Sequence, residues 1–392
     1  MTEGDVALAC TSAFVNALAW LGLRDACVSP GSRSTPIALA LARNEDVRVH
    51  VHLDERSSAF YALGLAKASG VPAAVLTTSG TAAVNLFPAI VEASMSRVPL
   101  IALTADRPPE LRGVGANQTI DQAGLFGEYA RWFVDAPVPA EGSGAGRAWY
   151  RLGVDTYREA CRAGPVHVNL PFREPLVPSG DELSPGEAIW SAPVAYDVSA
   201  GHVPQDDDVA AFVDAVAGVD KGFVYAGALR VSSPDIPELG RRLGWPVIAE
   251  PTSGCRIPGT LDAGQHLLAN ADFAAEHAPD LFLQIGAAPT SRAALEGVRT
   301  AGSLVIVDPD ELVADPNRRA DKRFAVHAGN LVHRALDAIQ SSTDGSWLSD
   351  WREADRRVAA VVDALLDSWD EPFEGRIARD LAASLPDGSA GR

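Results

Sequence analysis

The sequence predicts an α/β protein with two parallel-sheet domains and the start of a third. Three observations predict it. Short apolar runs alternate with helix-period stripes through most of the 392 residues, the pattern of a parallel sheet covered on both faces. Several of those runs end in turns rich in Gly, Ser or Thr, where an open parallel sheet places its ligands. A cluster of prolines, Pro171, Pro175, Pro178, Pro185 and Pro193, separates two such regions and reads as a linker. The predicted divisions are a domain at 1–180, a linker at 181–193, a smaller domain at 194–342 and a helical segment at 343–392 that opens a third domain.

Residues 5–21 form the first predicted helix, with Cys10, Phe14, Leu18 and Leu21 as its stripe and Gly22 as its cap. Asp25–Ser29 is a strand. It runs into Pro30-Gly31-Ser32-Arg33-Ser34-Thr35-Pro36 and a helix over Ile37–Arg43. This order exposes free N–H groups at a positive dipole end, and Arg33 adds a planar guanidinium suited to a carboxylate. A purely structural turn would use the same residues. The apolar run Val47–Leu53 reads as a buried strand, followed by a helix with Phe60, Leu63 and Ala66 on one stripe. Glu55 stands where strand gives way to helix. It is either a first-turn acid that complements the dipole or a partly buried carboxyl used as an acid or base.

Ala73–Thr77 is the next strand, entering Thr78-Ser79-Gly80-Thr81-Ala82-Ala83-Val84-Asn85 and a helix through Val91. Pro99–Thr104 leads to Ala105-Asp106-Arg107-Pro108-Pro109-Glu110. The polar loop from Arg112 to Gln122 carries Asn117 and Gln118, and a long polar loop in a compact domain points to function. Glu141–Gly146 lacks the spacing of a dinucleotide fingerprint and reads as a flexible loop. A helix at Trp149–Ala163 and a strand at Val166–Leu170 complete the unit. Its Glu55 turn, its two Gly/Ser turns and its Arg107 loop would open at one edge of the sheet.

The second region has predicted strands at Gly222–Ala226, Pro246–Glu250, Leu281–Ile285 and Ser303–Asp308. It is Rossmann-like but has no G-x-G-x-x-G turn, so nothing in it requires NAD or FAD. A helix from Trp347 to Leu366 would bury Val358, Val361 and Leu365, and a second helix spans Glu371–Leu385. Pro386-Asp387-Gly388-Ser389 reads as a turn into a further strand. Helices without a sheet cannot bury a core. Residues after about Trp347 are therefore expected to be mobile or to dock opportunistically.

The formal net charge of −18 argues against nucleic acid or an anionic membrane as the main partner. Local arginines can still bind small anions. Only Lys67, Lys221 and Lys322 are lysines among the 33 basic residues. Cys10, Cys27, Cys161 and Cys255 are scattered and read mostly as core thiols, and neither they nor the eight histidines show metal-ligand spacing. No apolar run approaches a membrane span and the N-terminus lacks signal-peptide regions, so a cytoplasmic protein is expected.

Taken together, the turns resemble thiamine-diphosphate enzymes of the acetolactate-synthase type. Glu55 matches their glutamate. Thr78–Asn85 is similar to their T-S-G-P-G-x-x-N turn, with Thr81 and Ala82 in place of Pro and Gly. Gly164-Pro165-Val166-His167-Val168-Asn169-Leu170-Pro171 resembles the segment that closes their pyrimidine-binding domain. Ser29–Pro36, Asp106–Leu111 and Gly115–Ile120 resemble the hallmarks of the menaquinone-biosynthesis branch, the SEPHCHC synthases. The likeness covers the first 175 residues by motif and the central region by architecture and position.

The resemblance implies pyrimidine-binding, central and diphosphate-binding domains in that order, with active sites shared between subunits of a homodimer or dimer of dimers. It implies thiamine diphosphate and Mg²⁺ as cofactors. The family's metal- and diphosphate-binding G-D-G motif does not occur in this sequence, so those ligands are expected on a domain that this chain only begins. The implied reaction decarboxylates 2-oxoglutarate and adds the resulting succinyl carbanion equivalent to isochorismate, giving SEPHCHC and CO₂. Glu55 is then the cofactor-activating acid, with Ser79, Gly80, Thr81, Asn85 and Gln118 lining the cofactor. Arg33 and Arg107 would bind the carboxylates of isochorismate, and Ser32, Asn117 and Gln118 would orient its ring. Three other readings stand beside this one. The chain could be an acetolactate-synthase-like enzyme, a catalytically silent truncated chain or paralogue acting through subunit association, or an ordinary nucleotide-binding α/β protein.

Overall fold

A computed structural model describes residues 2–142, 144–180, 203–229, 231–309, 315–316, 318–341, 345–369 and 373–384. The predicted linker at 181–193 and the predicted turn at Pro386–Ser389 lie outside the described residues. The chain divides into two compact units, residues 1–200 and 201–392.

The first unit contains, in order, α1 (Glu3–Leu21), β1 (Asp25–Val28), α2 (Thr35–Arg43), β2 (Arg48–Val51), α3 (Glu55–Ser69), β3 (Ala73–Thr77), α4 (Thr81–Val84), α5 (Phe87–Met95), β4 (Leu100–Asp106), β5 (Trp132–Asp135), α6 (Ala145–Ala163) and β6 (Val166–Pro171). All six strands are parallel, in the order β2-β1-β3-β4-β6-β5. Successive residues of a strand face opposite sides, and the central strands feed two cores. Ala74 and Leu76 of β3 join α1, α2 and α6, while Ala73 and Val75 join α3 and α5.

Sequence explains the ends of these helices. Thr2 and Asp5 form a reciprocal capping box at the start of α1, and Gly22 ends it at φ 122°. α1 is long and apolar enough to cross a membrane by length and composition, contrary to the expectation that no segment is. Its apolar residues are instead core: Phe14 packs edge-on to Trp149 at 6.3 Å. A Cβ on Gly153 of α6 would lie 2.5 Å from the Phe14 carbonyl oxygen, so glycine permits this close crossing.

Several expectations need correction. β2 is an exposed edge strand, not a buried one, and Leu53 is 97% exposed. The buried stripe of α3 is Ala59, Ala62, Leu63 and Ala66, and Phe60 faces solvent. The helix after Thr78–Gly80 breaks at Asn85–Leu86 and resumes as α5. Gly144 to Gly146 is not loop throughout, because α6 starts at Ala145. The edge strand β5 was not anticipated.

The second unit contains α7 (Asp206–Val216), β7 (Gly222–Ala226), α8 (Asp235–Leu243), β8 (Val247–Ala249), α9 (Gly264–Ala269), α10 (Ala271–Glu276), β9 (Leu281–Ile285), α11 (Arg292–Thr300), β10 (Ser303–Val307), β11 (Lys322–Phe324), α12 (Ala328–Leu336), α13 (Ser346–Ser368) and α14 (Glu374–Ser384). Its parallel sheet runs β11-β10-β9-β7-β8. Gly222 is required by packing, since a Cβ there would sit 1.9 Å from the Trp245 ring.

The first turns of α13 overturn the expectation of a tail with nothing to rest on. Trp347 and Trp351 pack with Phe223, Tyr225 and Phe282 in the core of this unit. The Trp351 ring lies 5.1 Å from that of Phe223, and Trp347 Nε1 donates to the Gly222 carbonyl at 2.8 Å. Val361 and Leu365, expected to be buried, are 67% and 49% exposed.

Candidate active site

In the first sheet the chain leaves β1 for β2 on one side and returns to β3 on the other. That reversal opens a crevice at the carboxyl ends of β1 and β3, the usual ligand position in such sheets. Backbone bonds hold the strand ends level: His52 N–H donates to the Val28 carbonyl at 3.0 Å, and Ser29 N–H to that of Leu76 at 2.9 Å. The turns after β1 and β3 then pack without space between them. A Cβ on Gly31 would lie 2.3 Å from Thr78 Cβ, so only glycine fits.

Arg33 sits in a short 3₁₀ turn, Ser32–Ser34, and is buried. Its Nη1 donates to the Phe172 carbonyl at 2.9 Å and its Nη2 to Glu174 Oε1 at 2.9 Å. Its Nε is buried with no acceptor. Ser32 is exposed on the same turn.

Arg107 leaves the end of β4. Its Nη1 donates to Ser79 Oγ, and its backbone N–H to Asp106 Oδ1 at 2.7 Å. Desolvation, and then the nearby charge of Arg33, hold the Arg107 guanidinium below its ordinary pKa. The structure thus brings two guanidiniums together from distant parts of the chain.

Gly80 takes φ 84°, a backbone state that favours glycine. A Cβ there would come within 3.0 Å of Gln118 Cγ. Gln118 is itself at φ 55°, and its Nε2 donates to the Ser79 carbonyl at 3.0 Å. Arg107, Ser79, Gly80 and Gln118 therefore form one contiguous group. Asn117 is exposed beside them. Thr81 and Asn85 are exposed on α4, where Asn85 Nδ2 donates to the Thr81 carbonyl at 3.1 Å.

Glu55 is the first residue of α3 and half-buried. The cap is Asp54, whose side chain accepts from the Ser57 N–H at 2.7 Å. Glu55 is therefore not needed as a cap, and among the described residues its carboxylate has no hydrogen-bond or ion-pair partner. His52 Nε2 and Ser58 Oγ are buried nearby in sequence without partners. No bond joins Glu55 to the Arg107 group.

Sequence reasoning missed the network beneath these turns. Gln122 is buried and clamps three strand ends. Its Oε1 accepts from Gly80 N–H at 3.0 Å, and its Nε2 donates to the Ala105 carbonyl at 3.0 Å and to Asn169 Oδ1 at 2.7 Å. Asn169 Nδ2 donates to Asp106 Oδ2 and to Asp135 Oδ1, each at 2.9 Å. Arg112 pairs with Asp135 at 2.6 Å and with Asp106 at 3.0 Å. The available signal was His167 and Asn169 inside an otherwise apolar strand, since buried polar groups need partners. Among the described residues no cluster of three His, Cys, Asp or Glu side chains could hold a metal ion, and Mg²⁺ is assigned to none of them.

Comparison with known proteins shows the family. The family model for the thiamine pyrophosphate enzyme N-terminal TPP binding domain matches residues 9–125, which places the first unit in the class of thiamine-diphosphate enzymes. Three relatives are 2-succinyl-5-enolpyruvyl-6-hydroxy-3-cyclohexene-1-carboxylate (SEPHCHC) synthases. That of Thermobifida fusca is 42% identical over 96% of this chain and 66% of its own length. Those of Geobacillus kaustophilus and a Roseiflexus species are 39% and 38% identical over 97% and 100% of this chain, and 67% and 69% of theirs. The chain belongs to the SEPHCHC synthase family. It spans about two thirds of the length of the curated relatives it matches.

Proposed function

We propose that this chain provides the cofactor-activating and acceptor-binding parts of a thiamine-diphosphate-dependent synthase that joins 2-oxoglutarate to isochorismate. The observation that carries the reading is that Arg33 and Arg107 stand on adjoining strand-end turns within reach of each other's charge: Gly31 of the Arg33 turn packs against Thr78, and Arg107 donates to the next residue, Ser79. Isochorismate carries two carboxylates, and two guanidiniums can bind both, each through charge-assisted hydrogen bonds. A pyruvate acceptor would leave one guanidinium without a partner, which disfavours an acetolactate-type reaction.

Thiamine diphosphate, when bound, supplies the carbanion chemistry. The chain supplies a free carboxyl and a fitted cradle. Glu55, without a hydrogen-bond or ion-pair partner among the described residues, would share a proton with the pyrimidine N1′ atom when the cofactor is bound. The left-handed turn at Gly80 keeps side-chain bulk out of the crevice. Gln122 and Asn169 hold that turn and the Arg107 turn in fixed relation. Val51, Leu53, Phe60 and Tyr61, exposed on both sides of Glu55, suit pairing with a second subunit.

Calorimetric titration with isochorismate tests the reading. The chain should bind it saturably, and Arg107→Ala should weaken binding about ten- to a hundredfold, for the loss of one charge-assisted bond of about 1.5–3 kcal/mol. No saturable binding, or equal binding by the variant, would remove the assignment.

A further inference from the structure

Arg33 already holds a carboxylate. Glu174 Oε1 lies 2.9 Å from Arg33 Nη2, although the rest of the Glu174 side chain is in solvent, with 71% of it exposed against 7% for Arg33. Among the described residues Arg107 has no side-chain ion pair with a carboxylate and leans on the neutral Ser79 hydroxyl. The charge of Glu174 also reaches Arg107, partly opposing the depression of its pKa. Asp106 acts on Arg107 more strongly than Glu174 does, but Glu174 is the anion that reaches both guanidiniums.

The segment that carries Glu174 is fixed on its N-terminal side. Phe172 is buried, and its N–H donates to the Asp106 carbonyl at 3.1 Å. Arg173 is clamped by Glu110, at 2.6 and 3.2 Å. Backbone position is thus set by Phe172 and Arg173, while among the described residues the Glu174 side chain has Arg33 as its one hydrogen-bond and ion-pair partner. A carboxylate so tethered and so exposed can leave the guanidinium without disturbing the core.

We propose that Glu174 is a built-in competitor for the acceptor site: its carboxylate occupies the Arg33 guanidinium until a substrate carboxylate displaces it. This rests on the acceptor-binding reading above. The device has two physical consequences. It neutralises a buried guanidinium that would otherwise lack a counter-charge, since Arg33 Nε is already unpartnered. It also raises the threshold for weak or singly charged anions, which must displace Glu174 without gaining the second arginine. A dicarboxylate gains both and outcompetes it, whereas a monocarboxylate meets the same displacement with one arginine to gain, so Glu174 keeps weak ligands off the site at concentrations that would otherwise fill it.

The test is calorimetric titration of the chain with isochorismate and, separately, with benzoate as a monocarboxylate probe. Wild type is compared with Glu174→Gln, Glu174→Ala and Arg33→Lys, and thermal melts establish folding. Glu174 is largely in solvent, which weakens its hold on Arg33, so removing it should tighten isochorismate binding only about two- to fivefold. Benzoate should gain by at least as large a factor, and raising the salt concentration should narrow the difference from wild type. Arg33→Lys should weaken isochorismate binding. Glu174 variants that bind equally or more weakly, while Arg33→Lys still weakens binding, would overturn the competitor role and leave the acceptor site standing. Isochorismate binding unaffected by Arg33→Lys, or absent in every variant, would overturn the acceptor site and the competitor role with it.

Discussion

His167 offers the sharpest test of how the first unit is built. It lies on β6, fully buried, with its ring 4.6 Å from that of Phe126 and 5.0 Å from that of Phe133. One ring nitrogen, Nε2, is 2.8 Å from Thr104 Oγ1, and the other is buried without a partner. Burial pulls its pKa from 6.5 down to about 3, only slightly opposed by Asp135. The folded protein therefore keeps the ring neutral, while the unfolded chain takes up a proton below about pH 6.5. The stability contribution is fully present above that pH. It falls on acidification by up to about 1.4 kcal/mol per pH unit until the folded ring also titrates near pH 3. Between pH 7 and pH 5 this one group should cost about 2 kcal/mol. His167→Leu removes the titration and leaves the Thr104 hydroxyl its bond to Asn169 Oδ1 at 3.0 Å. Urea unfolding of both proteins at pH 7 and pH 5 measures the difference. Wild type should lose about 2 kcal/mol more than the variant over that interval. Parallel losses would show that His167 is protonated in the fold or reached by water, and the argument from burial would fail.

Three further predictions concern activation, packing and the C-terminal helix. In a complete synthase that carries this first unit, Glu55→Gln should lower turnover about 10²- to 10⁴-fold with an unchanged circular dichroism spectrum, and activity within a few-fold of wild type would reject Glu55 as the activating acid. Gly31→Ala should cost about 1–3 kcal/mol in urea unfolding because its new Cβ meets Thr78 at 2.3 Å, and Thr78→Gly in the same chain should restore most of the loss. Trp351→Ala should destabilise the second unit by about 3–5 kcal/mol, whereas Val361→Ser, on the exposed part of the same helix, should stay within about 0.5 kcal/mol; equal small effects would mean that α13 is not part of that core.

Fold class, central strands and the turns at the strand ends could be read from local sequence. Ala73–Thr77 and Leu281–Ile285 were legible because both faces of a central parallel strand are covered, which leaves an unbroken apolar run. Ser29–Pro36, Thr78–Asn85 and Asp106–Leu111 were legible because tight turns at strand ends demand particular residues locally. Edge strands carry no such mark: Trp132–Asp135 and Lys322–Phe324 are partly exposed and have no unbroken apolar run, and Arg48–Val51, whose apolar neighbours suggest burial, lies exposed at the other edge of its sheet. Which residues meet across the fold could not be read that way. Arg33 finds Phe172 and Glu174, Gln122 reaches Gly80 and Asn169, and Trp351 reaches Phe223. Periodicity reports which side of a helix or strand is apolar, but the partner of a buried polar group is set by the order of strands in the sheet. That order places residues far apart in the chain side by side, and no local pattern records it.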